Sequence, residues 1–116
     1  MNDFNIVDVP GILSTPVATY DGDGNQITND GEWHRQAAET QYVLAEFLAA
    51  KGMVVGRTAI DRSPTLTIKF SALTPEGQVF AREAVHKWLV SMDRPTAKIN
   101  DSGLEKRWQK FKAKPA

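Results

Sequence analysis

Asp21, Asp23, Asn25 and Glu32 stand at positions one, three, five and twelve of a calcium-loop spacing. Hard oxygen ligands so placed can surround a divalent cation. The sixth position of such a loop needs glycine for its sharp turn, and Gln26 stands there. Pro16 and the β-forming residues 17–20 deny the loop its preceding helix. A hairpin turn rich in Asp and Gly accounts for the same residues, so calcium stands only as the alternative and no cofactor is expected.

Nucleophilic and acid–base chemistry finds little to work with. His34 and His86 are the only histidines, far apart on two expected helices, without a metal-binding spacing. Arg35 and Lys87 follow them directly, which points both rings to water. No serine occupies a nucleophile elbow. Gly22 and Gly24 lie among acids, which repel phosphate. There is no cysteine, so disulfides, thiolates and sulfur-bound zinc are excluded. The expected function is therefore not enzymatic.

Charge offers more. The 116 residues carry 14 basic and 14 acidic groups. All six acids within residues 1–32 stand without a Lys or Arg, whereas residues 98–116 hold six basic groups against Asp101 and Glu105. Such polarity suits an electrostatic match within the chain or with a partner. Arg57, Arg62 and Lys69 add a basic loop and strand, and Lys106, Arg107 and Lys110 surround Trp108 and Phe111. Basic groups beside aromatic rings can grip a phosphate backbone. The same terminal segment can instead dock through Leu104, Trp108 and Phe111, on its own domain or on a partner.

The elements that must position these groups follow from periodicity. Residues 1–30 read as extended, with a hairpin about residues 21–25. Residues 31–51 form a helix with Trp33, Leu44 and Leu48 on its apolar face and Gly52 as its stop. Residues 53–55 start a strand, and Leu66, Ile68 and Phe70 alternate with polar residues in a second. Thr74, Pro75 and Glu76 open another helix, which ends before Pro95 and buries Phe80, Ala84 and Trp88. Ser102 and Glu105 fit a capping box for a terminal helix over residues 101–113.

The expected fold is α+β: one domain, residues 1–116, with a small antiparallel sheet packed by two main helices and a short C-terminal helix. Residues 31–95 are its helix–strand–helix centre. The core is expected from Trp33, Leu44, Leu48, Leu66, Ile68, Phe70, Phe80, Trp88 and Leu89. No apolar run approaches a membrane span, and the acidic N-terminus does not read as a secretory leader, so a cytoplasmic protein with no membrane partner is expected.

Two resemblances bear on function. The helix, the basic strand-loop-strand and the junction Leu73-Thr74-Pro75-Glu76-Gly77 together resemble the latter half of a winged-helix domain, over about residues 38–92. That resemblance implies a nucleic-acid binder whose wing carries Arg57, Arg62 and Lys69. Residues 71–77, Lys87-Trp88-Leu89, Asp93-Arg94 and Leu104-Glu105-Lys106 are similar to a group of small uncharacterised proteobacterial proteins. That similarity implies a free-standing bacterial domain and brings no activity with it. The leading expectation is a small protein-interaction module that binds a partner or a second copy; nucleic-acid binding is the alternative.

Overall fold

The computed structural model describes residues 4–15, 18–20, 22–24, 26–28, 32–92 and 98–113. Strand β1 (Asn5–Asp8) leads into helix α1 (Val9–Ser14), then strands β2 (Ala18–Tyr20) and β3 (Gln26–Thr28), and helix α2 (Glu32–Ala50). Strand β4 (Thr67–Lys69) passes through a 3-10 turn, Phe70–Ala72, into helix α3 (Pro75–Phe80). A π-helical segment, Ala81–Val85, joins α3 to α4 (His86–Met92), and α5 (Ser102–Ala113) follows. The fold is α+β, as its sequence pattern implies.

β2 and β3 pair as the expected antiparallel hairpin, with Ala18 opposite Thr28. β1 pairs antiparallel with β4, which makes the other sheet. Its register runs Asn5 to Lys69, Val7 to Ile68 and Asp8 to Thr67, so Ile6 is an extra residue, a bulge. The α2 side chain of Gln41 accepts from the Asp8 N–H at 3.0 Å and ties the helix to this strand.

Three local outcomes differ from expectation, each for a physical reason. Residues 9–14 are helical despite Pro10, because proline is tolerated in a first turn whose N–H groups have no helical partner. Asp8 caps that turn by accepting from the Gly11 N–H at 3.1 Å. Residues 53–55 do not extend into a strand: Val54 makes a single antiparallel bridge to Leu73. The alternation of residues 66–70 ends at Lys69, where the 3-10 turn lifts Phe70 out of the core to half-burial, as Leu89 also is. The proposed capping box does not form either. Ser102 donates to Asn100 Oδ1 at 2.7 Å, while the Glu105 carboxylate reaches Lys51, just after α2, at 3.0 Å. Of the expected core, Leu44, Leu48, Leu66, Ile68, Phe80 and Trp88 are buried, and the Trp33 side chain lies outside the described residues, as do Asn29 and Asp30, either of which is of a type that can cap a helix starting there.

α2 ends as expected. Gly52 takes φ +75, its N–H donates to Ala49 O, and the Met53 N–H donates to Leu48 O, the paired bonds of a Schellman motif. Thr74 caps α3 through the Gly77 N–H at 3.0 Å. Gly77 itself packs on the chain after α2: a Cβ there would lie 2.9 Å from Met53 Cβ and 3.0 Å from its carbonyl oxygen. Glycine is required because that approach leaves no room for a methyl group.

The helices meet on Phe80. Its ring lies 6.1 Å from Phe47 of α2, 5.3 Å from Trp108 edge to face, and 5.4 Å from Phe111. The π segment follows directly. Phe80, Ala84 and Trp88 are spaced four and four, and in a regular helix of 3.6 residues per turn Trp88 would drift ~80° off the Phe80 line. The wider π turn takes up that excess, so both large rings are fully buried.

Trp108→Ala should cost about 3–5 kcal/mol in urea unfolding, because it removes a large buried ring from this cluster. Gly77→Ala should cost about 1–3 kcal/mol by overpacking against Met53. An unchanged midpoint for either variant would contradict the packing described.

Candidate functional site

Two backbone irregularities face each other across an open groove of about 300 Å³. On one side stands the bulged strand, with Phe4, Asn5 and Ile6, and Phe70 from the turn after β4. On the other stand Ala81, Arg82 and Val85 of the π segment, with His86 and Leu89 of α4. A bulge re-aims a side chain, and π turns recur where helices carry function.

The groove is predominantly apolar, and its lip is ordered by stacking. Phe4 is 54% exposed, yet its ring lies 5.1 Å from Phe70 at an angle of 17°. The Arg82 guanidinium carbon sits 5.1 Å from the same Phe70 ring centre, within cation–π range. The Phe70 N–H donates to Phe4 O at 2.7 Å and fixes the two rings through the backbone. Asn5, Arg82 and His86 supply the polar groups, and among the described residues no Asp or Glu lines the space. One exposed ring, Phe4, and the half-buried Phe70 thus stand beside the buried side chains of Ala81 and Val85.

The candidate residues read from sequence lie elsewhere. Leu104 and Trp108 are buried and Phe111 is half-buried against Phe80, so this apolar face of α5 is covered by the chain itself. Lys51 and Glu105 tie α5 to the end of α2, and Lys112 pairs with Glu76 at 2.8 Å while lying over Trp108. Arg62 is held by two α2 carboxylates, Glu39 at 2.6 Å and Glu46 at 2.7 Å, and lies over the Tyr42 ring. Its acidity is weakened, chiefly by the hydrogen bond to Glu46 and then that to Glu39. Arg62 therefore straps its loop to α2 rather than standing free for phosphate. Arg57, Lys69, Lys106 and Lys110 are exposed, and Arg107 is half-buried.

Of the calcium alternative, Asp21, Asn25 and the Glu32 side chain lie outside the described residues, and Asp23 is exposed in the hairpin turn. Among the described residues no three potential ligands cluster. No described helix is long and apolar enough to cross a membrane. His86 lines the groove and is exposed; His34, half-buried, meets Thr15 O at 2.6 Å through Nε2.

Sequence reasoning missed the groove. Phe4 and Ile6 sit in a segment without clear periodicity, and the four-and-four spacing of Phe80, Ala84 and Trp88 also fits the stripe of a regular helix. The available signal was the pairing of solvent-facing Arg82 and His86, one turn apart on the same helix.

The Glu105 carboxyl is held below the usual carboxylate range, first by the hydrogen bond from Lys51 and then by that from Gln109. A depressed folded-state value stabilises the protein at higher pH, and the contribution is lost as pH falls through the carboxylate range. The anchoring of α5 should therefore loosen on acidification below about pH 4. Glu105→Gln should flatten that part of the stability profile; an unchanged profile would show that the Lys51 pair does not hold α5.

No family model, curated protein or solved structure matches this chain.

Proposed function

We propose that this chain is a small bacterial, cytoplasmic protein-interaction module, not an enzyme, and that it docks its partner in the groove between the bulged β1 and the π segment. The observation that carries this reading is the lip: an exposed Phe4 stacked on Phe70 over an apolar space of about 300 Å³. Pre-stacked rings lose little conformational freedom on binding, and aromatic and Arg side chains are the residues that concentrate binding energy at interfaces.

The competing reading is a nucleic-acid binder using Arg57, Lys69, Lys106, Arg107 and Lys110. It requires duplex affinity that falls with salt at a log–log slope of about −0.9 per phosphate neutralised.

Peptides selected from a random library on the folded chain should lose roughly tenfold or more in affinity for Phe4→Ser, the loss of a buried aromatic contact, with little change in thermal melt. Lys106→Ala on α5 should bind them as the parent does. Peptides indifferent to Phe4, or a steeply salt-dependent affinity for duplex DNA in their place, would contradict the groove reading.

A further inference from the structure

We infer that the segment bound in the groove presents a bulky apolar side chain beside a carboxylate, so that the partner is an acidic, apolar stretch of another protein. The inference rests on the groove reading above and adds its chemistry.

Arg82 carries the argument. Its guanidinium is steadied by the Phe70 ring at 5.1 Å, yet no carboxylate pairs with it among the described residues. Other cations close to the helices are used differently: Arg62, Lys51 and Lys112 each meet a carboxylate of the same chain. A guanidinium stacked on a ring keeps its N–H edge free and fixed, the geometry that a carboxylate meets with two parallel hydrogen bonds.

The surroundings select against other occupants. His86 and Asn5 share the polar rim, and among the described residues no acid lines the groove, so a cationic segment finds no counter-charge among them. Lys69, opposite Asn5 in the strand register, extends the basic edge. Ile6, Ala81, Val85 and Leu89 line the apolar part. Its volume lies at the low end for ligand cavities, which suits an anchoring side chain or two rather than a large cofactor. Ring, aliphatic floor and guanidinium together ask for an apolar group with negative charge next to it.

The test uses blocked peptides bearing Phe-Leu flanked by glutamate, by glutamine or by lysine, titrated against the full chain by fluorescence anisotropy. The glutamate peptide should bind roughly tenfold or more tightly than the glutamine peptide, the size expected for a hydrogen bond to a charged group. Arg82→Gln should erase most of that preference, bringing the glutamate peptide's affinity to that of the glutamine peptide on the same variant. Equal affinity for the glutamate and glutamine peptides would overturn the inference and leave the groove reading standing, and a preference for lysine would do the same. Failure of all three to bind would overturn both. Concentration-dependent self-association abolished by Arg82→Glu would assign the groove to a second copy of the chain and overturn the inference. The peptide series decides without a variant, so a misfolded Arg82 substitution does not spare it.

Discussion

Phe80 is buried where α2, α3 and α5 converge, in contact range of Phe47, Trp108 and Phe111. Three helices brought together by one ring constrain everything downstream of it. The helix that carries Phe80 must also bury Trp88, eight residues on, against α5, where a Cβ on Gly103 would lie 3.2 Å from the indole. Regular helical geometry does not place both rings on one line. The π turn resolves the conflict, and its cost is borne by the surrounding packing.

The consequence is functional. A π turn widens the helix and gives its side chains new directions, and here Ala81, Arg82 and Val85 of that turn border the groove. Across it, the Ile6 bulge interrupts the β1–β4 ladder and brings a second apolar side chain to the same space. The groove is thus assembled from two departures from regular structure rather than from a motif. The basic groups that looked available for phosphate are divided: Arg62 serves as a strap to Glu39 and Glu46, while Arg57, Lys69, Lys106 and Lys110 are exposed.

Much of the fold was legible because it rests on local chemistry. Gly52 ends α2, Thr74 caps α3, and the four-residue spacing of Phe80, Ala84 and Trp88 marks a buried stripe, each as periodicity and capping rules require. Asp8, Val9 and Pro10 carry the same cap-and-proline signal as Thr74 and Pro75, yet the second proline at position 16 drew the segment toward an extended reading. Phe70 fits a strand alternation until the chain turns at Lys69, a long-range outcome of pairing with β1 that no window around residue 70 contains. The groove was hidden for the same reason: Phe4 and Arg82 are 78 positions apart in the sequence, and they meet through Phe70, which stacks with both and donates its N–H to Phe4 O. The terminal helix showed its apolar face plainly, but its spacing does not say whether that face meets its own domain or a partner.

The most direct measurement is a set of intermolecular NOEs, recorded with an unlabelled acidic, apolar peptide bound to the isotope-labelled chain. The account predicts contacts from the peptide's aromatic ring to the methyl groups of Ile6, Val85 and Leu89. Contacts confined to α5 or to the Arg57–Arg62 loop would contradict it.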